Sequence, residues 1–185
     1  LFDFGCMGSS LFKSLFDKEK PRIALLNVGL EENKGSDILK KAFALFKSTK
    51  LKNFDFKGFI EGNHIMDGDV DVIVTDGFTG NIALKTAEGT ANFISKSFKS
   101  SLNKLSLLLS YKSLKKFKNK FDPRKYNGAI FLGLQRPVVK SHGSTDSIGF
   151  AHSIDVCNKI VSANLIEKIE SNLITWRIIK AVLIY

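Results

Sequence analysis

The sequence is poor in cysteine and proline, and it has no long uninterrupted apolar run. Only two cysteines occur among its 185 residues, Cys6 and Cys157, and they lie far apart without a CxxC spacing. We therefore expect neither a disulfide framework nor a cysteine zinc site, and a reducing cytoplasm is the natural location. No apolar stretch has the length that a bilayer requires, so a membrane-spanning helix is not expected.

Acidic residues are scarce as well, and residues 89–121 contain none. The 28 lysines and arginines outnumber the 18 aspartates and glutamates, which gives a formal net charge of +10. Such an excess favours an acidic partner: nucleic acid, an anionic membrane or an acidic protein. Nucleic acid is the least expected of these, because the lysines are not interleaved with stacking aromatic residues.

The acid-free segment predicts a basic, amphipathic helical insertion at about residues 96–121. Its leucines and lysines recur at helical spacing, which suits a helix lying on an anionic membrane surface. The alternatives are a helix pair packed on the body with a solvated lysine face, and contact with a second subunit. The residues expected to face the membrane are Leu105, Leu108, Leu109, Lys112, Lys115 and Lys116.

Apolar strands alternate with helical segments along the rest of the chain. Strands are predicted at 23–28, 54–60 and 70–74, and two shorter ones in "GAIFLG" and "RPVVKSHG". A short helix is predicted at 7–17, a longer one beginning at about 81, and a last helical region ending at about 171. Between the first two strands, Ser36 or Asp37 would cap a helix that places Ile38, Leu39, Ala42, Phe43 and Phe46 on one face. This alternation predicts a parallel α/β fold with helices on both faces of the sheet.

Polar, glycine-rich loops follow four of the predicted strands: "GLEENKG", "EGNH", "TDGFTGN" and "SHGST". In parallel α/β folds, ligands bind outside the carboxyl ends of the strands. Glycine turns let backbone N–H groups approach an anion, and the helix dipole favours negative charge there. The pattern predicts a phosphate or carboxylate site, with charge from Lys34 and Lys85 and hydrogen bonds from Asn81 and Ser144.

Each of these residues also has an ordinary structural interpretation. Gly77 and Gly80 are also typical of a simple turn, and Asn81 is equally suited to be an N-cap. Lys34 and Lys85 fit solvated surface positions, and His142 fits a structural hydrogen bond as well as a catalytic one. No serine or cysteine lies in a recognisable nucleophile motif.

Three blocks narrow these alternatives: "PRIALLNVGLEENKG", "DVDVIVTDGFTGNIALKTAEG" and "YNGAIFLGLQRPVVKSHGSTDS". In this order they resemble the bacterial phosphate acyltransferase family, which converts acyl-(acyl-carrier-protein) and inorganic phosphate to acyl phosphate for glycerophospholipid synthesis. "LFDFGCMGSS" resembles the family's helix upstream of the first block. The resemblance implies a three-layer α/β/α sandwich with a mostly parallel, Rossmann-like sheet of the isocitrate and isopropylmalate dehydrogenase type.

The resemblance also implies roles for individual residues. Lys34 and Asn81 match the positions expected to be catalytic, holding phosphate beside a thioester carbonyl and stabilising the oxyanion. No metal or other cofactor is expected. The implied partners are acyl carrier protein, inorganic phosphate, a second copy of the chain in a homodimer and the inner face of the membrane, to which a cytoplasmic protein would bind peripherally. The expected substrate-binding residues are Asp76, Gly77, Gly80, Lys85, His142, Gly143 and Ser144.

Some features depart from the family pattern. Asn63 and His64 stand where an arginine and an aspartate are usual, and Asn127, Ile130 and Arg136 replace Gly, Pro and Gly. Residues 1–172 are expected to be the C-terminal part of a single acyltransferase domain that lacks its N-terminal half, and residues 173–185 form an apolar tail of unassigned role. Two alternatives follow: a phosphotransacetylase-like enzyme with a coenzyme A donor, and a non-catalytic membrane- or protein-binding fragment.

Overall fold

A computed structural model describes residues 1–16, 18–101, 128–143 and 145–182. In chain order, the elements are helix α1 and strand β1, helix α2 and strand β2, a short 3-10 helix, then strand β3 and the long helix α3. After the undescribed stretch come strands β4 and β5 and helices α4 and α5. Their bounds are α1 Phe2–Phe16, β1 Arg22–Leu26, α2 Asp37–Ser48, β2 Asp55–Ile60, the 3-10 helix Gly62–His64, β3 Val72–Val74, α3 Gly77–Ser101, β4 Ala129–Ile130, β5 Val139–Lys140, α4 Ser147–Ser162 and α5 Leu165–Val182.

The central element is a parallel sheet of three strands in the order β2-β1-β3. Strand β1 lies in the middle, and the apolar residues Ile23, Ala24, Leu25 and Leu26 are all buried. A strand buried on both faces reads as a continuous apolar run, and this run identified β1 in the sequence. The α/β prediction is therefore confirmed.

Alternate residues of β1 face two different apolar layers. Ile23 and Leu25 pack in a cluster with Phe2 of α1 and Phe46 of α2. Ala24 and Leu26 belong to a second cluster on the opposite face, which Ala83 of α3 helps to cover. Because successive strand side chains point to opposite faces, helices cover the sheet from both sides. This is the three-layer α/β/α arrangement that was predicted.

Helix α2 begins as its sequence predicts. The Ser36 hydroxyl accepts a hydrogen bond from the Leu39 amide at 3.4 Å, so Ser36 is the N-cap and Asp37 is the first helical residue. Ala42 and Phe46 are buried on the predicted face. Ile38, in the first turn of the helix, is wrongly assigned to that face, because its side chain is 68% exposed.

The last two strands do not extend the parallel sheet. Among the described residues, β4 pairs only with β5, and the two form a separate antiparallel sheet. Ile130 and Val139 of this pair pack with Ile160 of α4 and Leu165 of α5. Helix α5 continues through the apolar tail as far as Val182. In the described parts of the chain, no helix is both long and apolar enough to cross a membrane.

A buried carboxylate joins the amino ends of the first and third strands. Asp71 precedes β3 and accepts hydrogen bonds from the Arg22 amide at 2.7 Å, from Arg22 Nη2 at 3.0 Å and from Lys18 Nζ at 2.6 Å. Its side chain is only 9% exposed. These donors, the Arg22 guanidinium above all, hold the pKa of Asp71 well below its ordinary range. The contact therefore fixes β3 beside β1.

We predict that Asp71→Asn lowers the free energy of unfolding by roughly 2 kcal/mol near neutral pH, because the Arg22 guanidinium, the Arg22 amide and the Lys18 ammonium lose a buried carboxylate as their acceptor. Since the folded-state pKa of Asp71 is lowered, its contribution is complete above the ordinary aspartate pKa of about 3.9 and is lost as the pH falls toward the folded-state pKa. Urea unfolding of both proteins at neutral and acidic pH measures the difference, which should shrink in acid. The exposed neighbour provides the control, Asp69→Asn, and equal effects of the two substitutions would contradict the prediction.

Candidate active site

Three loops meet at the carboxyl edge of the parallel sheet. They follow β1, β2 and β3, which are adjacent and run in the same direction, so the loops necessarily share that edge. The prediction that "SHGST" forms a fourth loop of the same kind is wrong. It follows β5, which pairs in antiparallel fashion with β4 outside this sheet, because the hairpin buries its apolar residues against α4 and α5.

Asn27 organises the loop after β1. This buried side chain donates from Nδ2 to the Lys34 carbonyl at 3.2 Å and accepts from the Val28 amide through Oδ1 at 2.9 Å. Its backbone amide donates to the Ile60 carbonyl at 2.9 Å, which ties the loop to the end of β2. Gly35 then turns the chain with a φ of +84°, a conformation that favours glycine. Sequence reasoning missed Asn27, although a polar residue ending a buried strand was a usable signal.

The Lys34 side chain is exposed on this anchored loop. Its backbone amide donates to the Glu31 carbonyl at 3.0 Å, while its ammonium pairs with none of the described acidic side chains. By contrast, Lys47 of α2 pairs with Glu32 of the same loop at 2.7 Å. Lys34 thus combines a fixed backbone with an uncommitted positive charge, which suits binding of an anion.

The turn predicted at Gly77 and Gly80 is instead the first turn of helix α3. Asp76 caps this helix: its carboxylate accepts from the Thr79 amide at 2.9 Å and from the Thr79 hydroxyl at 2.6 Å. These hydrogen bonds, led by that from the hydroxyl, lower the pKa of Asp76. The amino end of α3 therefore already binds an anion, the carboxylate of Asp76. Gly77 and Gly80 lie in the first turn of this helix and not in a loop.

Asn81 lies one turn inside α3, so the structure excludes its interpretation as the N-cap. Its exposed side chain makes no hydrogen bond with any part of the chain that the structure describes. Gly80 lets the helix approach the end of β3, because a Cβ there would lie 2.7 Å from Thr75 Cγ2. The amide of Asn81 is consequently held at the edge of the sheet with its hydrogen-bonding groups unused.

The other predicted substrate-binding residues fall into two groups. Lys85 lies one turn beyond Asn81 on α3 and is exposed, so both can face the same ligand. His142 and Gly143 are exposed in the turn after β5, where the His142 carbonyl accepts from the Thr145 amide at 3.1 Å. Ser144 lies outside the described residues. Lys85 therefore follows Asn81 on α3, whereas His142 and Gly143 lie in the turn after β5, outside the parallel sheet.

A second polar pair occupies the loop after β2. His64 Nδ1 and Asp67 Oδ2 are 2.7 Å apart, and both side chains are about half exposed. The next residue, Ile65, packs on the same apolar cluster as Ala83, which lies two positions beyond Asn81. The His64 loop therefore lies at the carboxyl edge, as predicted for "EGNH", and packs on the same face of the sheet as α3. Its hydrogen-bonded pair with Asp67 was not predicted.

Most of the predicted basic insertion cannot be compared with the structure. Its six predicted membrane-facing positions lie outside the described residues, and only the first part, up to Ser101, is visible as the end of α3. Here Phe93, Ile94 and Phe98 are each more than half exposed. Helix α3 thus leaves the sheet with large apolar side chains in solvent.

Comparison with known proteins identifies the family of this chain. The model of the fatty acid synthesis protein family matches residues 1–168, nearly the whole chain. The chain belongs to this family. The match includes all three blocks that carried the resemblance, together with the three loops at the carboxyl edge.

Individual relatives are named phosphate acyltransferases. The chain is 56% identical over 178 residues to the phosphate acyltransferase of Pelagibacter ubique, an alignment that covers 94% of the chain and 54% of the relative. It is 45% identical to that of Agrobacterium fabrum, with 94% of the chain and 50% of the relative aligned. For Rhodospirillum centenum the identity is 47%, with 94% of the chain and 50% of the relative aligned. The chain thus spans about half the length of the relatives it matches.

We predict that Gly80→Ala destabilises the protein by about 1–3 kcal/mol, because the new methyl group would overlap Thr75 Cγ2 and a β-branched side chain has little freedom to move. Thermal unfolding measures this loss. Combining it with Thr75→Ser, which removes Cγ2, should restore most of the stability lost on Gly80→Ala. Gly89→Ala, where a Cβ meets open space on the same helix, is the matched control. Equal losses at both glycines would contradict the prediction.

Proposed function

We propose that this chain supplies an acyltransferase site that moves a fatty acyl group from acyl-acyl-carrier-protein to inorganic phosphate. The product is acyl phosphate for glycerophospholipid synthesis. The observation that carries the proposal is that the loop after β1 carries the exposed, unpaired ammonium of Lys34, while α3, which follows the adjacent strand β3, carries the exposed, unengaged amide of Asn81. The names of the relatives support the same activity.

The reaction explains why these two residue types are needed. Phosphate must be held beside a thioester carbonyl, and the oxyanion that forms on attack must be stabilised. In this proposal, Lys34 neutralises charge on phosphate or the oxyanion, and Asn81 donates a hydrogen bond to the acyl oxygen or orients phosphate. Phosphate is itself the nucleophile, so no serine or cysteine nucleophile is required.

The same edge also carries an unusual amount of exposed apolar surface. Val28 and Leu30 follow β1, Met66 follows β2 and Phe78 begins α3, with exposures of 81%, 59%, 73% and 77% respectively. Clusters of exposed apolar side chains rimmed by polar groups mark binding surfaces. A substrate with an anionic head and a long apolar chain matches this combination, which favours a fatty acyl donor over a small, polar one.

The decisive assay follows release of the carrier's thiol from long-chain acyl-acyl-carrier-protein with and without phosphate. It is run on this chain and on the chain joined to the portion that its relatives have in addition. Phosphate-dependent release supports the proposal, and a preference for acyl coenzyme A would favour a phosphotransacetylase-like enzyme. Release only from the longer protein would show that this chain holds part of the site. No release from either would refute the activity.

We predict that Asn81→Ala lowers kcat/KM by about 100- to 1000-fold, the effect of removing one oxyanion donor, without changing thermal stability. The stability should hold because the Asn81 side chain is exposed and makes no hydrogen bond among the described residues. Asn92→Ala, at another exposed position of the same helix, is the matched control and should leave kcat/KM unchanged. Full activity of Asn81→Ala would remove Asn81 from the mechanism.

The exposed apolar residues near the end of α3 support two associations, both with the protein in the cytoplasm. One is a homodimer in which a second copy covers Phe93, Ile94 and Phe98. The other is peripheral binding of the following basic segment to the inner face of the membrane. Each lysine near an anionic surface adds about 1 kcal/mol, so the eight lysines of residues 89–121 would make binding strong and salt-sensitive. The same positive charge suits the acidic acyl carrier protein.

We predict that reversing Lys115, Lys116 and Lys118 to Glu reduces co-flotation with vesicles containing phosphatidylserine, because it removes attraction to the anionic surface. Flotation with neutral phosphatidylcholine vesicles should be weak for both proteins. The control reverses three exposed lysines elsewhere, Lys20, Lys50 and Lys52, which produces the same change in net charge. If both triple variants lose binding equally, net charge rather than this segment is responsible.

A further inference from the structure

The loop after β2 holds a histidine in a defined orientation. Asp67 lies 2.7 Å from His64 Nδ1, and the backbone closes the same turn through hydrogen bonds from the His64 amide to the Glu61 carbonyl at 3.0 Å and from the Asp67 amide to the His64 carbonyl at 3.2 Å. A carboxylate on Nδ1 keeps the proton on that nitrogen and leaves Nε2 for another partner. No described group hydrogen-bonds to Nε2.

Two sets of contacts place the loop of this histidine beside the loop of Lys34 and beside helix α3. The Ile60 carbonyl, at the start of the His64 loop, accepts from the Asn27 amide, and Asn27 in turn binds the Lys34 carbonyl. Ile65, which follows His64, and Ala83 of α3 pack on one cluster, so the His64 loop and the first turns of α3 lie on the same face of the sheet. Of the three histidines in the chain, only His64 follows a strand of the parallel sheet.

The proposed reaction requires one proton transfer that Lys34 and Asn81 do not provide. When hydrogen phosphate attacks the thioester, a bond forms between a phosphate oxygen and the acyl carbon, and the bond from that carbon to sulfur breaks. Phosphate loses its proton, and the departing thiolate gains one, so the reaction is balanced without another reactant. A single group that accepts the first proton and donates it to sulfur is sufficient.

We propose that His64, oriented by Asp67, carries this proton from the attacking phosphate to the departing sulfur through Nε2. The inference rests on the acyl transfer proposed above. Asp67 foremost, and also Glu61 and Asp69, raise the pKa of His64, which stabilises the imidazolium formed between the two transfers. The acidic neighbours also make His64 a poor site for permanent phosphate binding, which leaves that task to Lys34.

The test is chemical rescue in whichever of the two proteins described above, this chain or its longer form, releases thiol in a phosphate-dependent way. His64→Ala should lower kcat by about 100-fold or more, with little change in the KM for phosphate. Added imidazole should raise the kcat of His64→Ala at least tenfold, since the position of the ring is half exposed and accessible to imidazole. Pyrazole, which has the same shape but does not accept a proton near neutral pH, should restore nothing. His152→Ala, on α4, should have no effect with or without either additive.

Each outcome decides the proposal. Rescue by imidazole alone supports it. Unchanged kcat in His64→Ala, a loss that imidazole does not rescue, or equal rescue by both additives overturns the relay while leaving the acyltransferase intact. Absence of phosphate-dependent release from the wild-type protein in both forms refutes the proposed function, and the relay with it.

Discussion

Parallel pairing of β1 on both sides is the constraint on which the candidate site depends. Strands β2 and β3 each run in the same direction as β1, so every connection must return from the carboxyl end of one strand to the amino end of the next. The loops that follow the strands therefore all lie at the carboxyl ends. Burial of Ile23 and Leu25 on one face and Ala24 and Leu26 on the other holds β1 in the middle. Residues far apart in sequence are thereby brought together by backbone pairing, before any side chain at the site is considered.

The two ends of this sheet have different tasks, and their polar groups differ accordingly. At the amino end, both carboxylate oxygens of Asp71 accept hydrogen bonds from Arg22 or Lys18, and the side chain is nearly buried. At the carboxyl end, Lys34 and Asn81 are exposed and keep their polar groups unengaged. A satisfied network stabilises the fold, whereas unsatisfied exposed donors cost little in water and remain available to a ligand. The contrast supports the carboxyl edge as the candidate site on grounds other than sequence resemblance.

Sequence patterns correctly predicted those elements whose structure depends mainly on their own residues. The apolar run of β1 and the Ser36 cap of α2 were both predicted correctly, because burial on two faces and N-capping leave direct marks in the sequence. The start of α3 was misplaced because two glycines suggested a turn. Helix α3 begins earlier because Asp76 caps it, and Gly80 allows the helix to pack closely against Thr75. The isolation of the β4–β5 pair depends on tertiary packing, which short apolar segments do not encode locally.

The candidate site followed the same division. Lys34 and Asn81 were predicted from their sequence blocks, but only the structure explains why both side chains are free to bind a ligand. Asn27 anchors the backbone of Lys34, and Asp76 caps α3, so Asn81 is not needed as the N-cap. The "EGNH" loop was predicted at the carboxyl edge, but the contact between His64 and Asp67 depends on how that turn folds and was not predicted. The capping of α3 by Asp76 has the largest consequence for the candidate site. If Asn81 were the cap, its amide would be committed to the backbone of α3, and the proposed chemistry would lose its hydrogen-bond donor. Because Asp76 takes that role one turn earlier, the helix is complete without Asn81, and selection for a ligand contact at this position does not compete with selection for a stable fold.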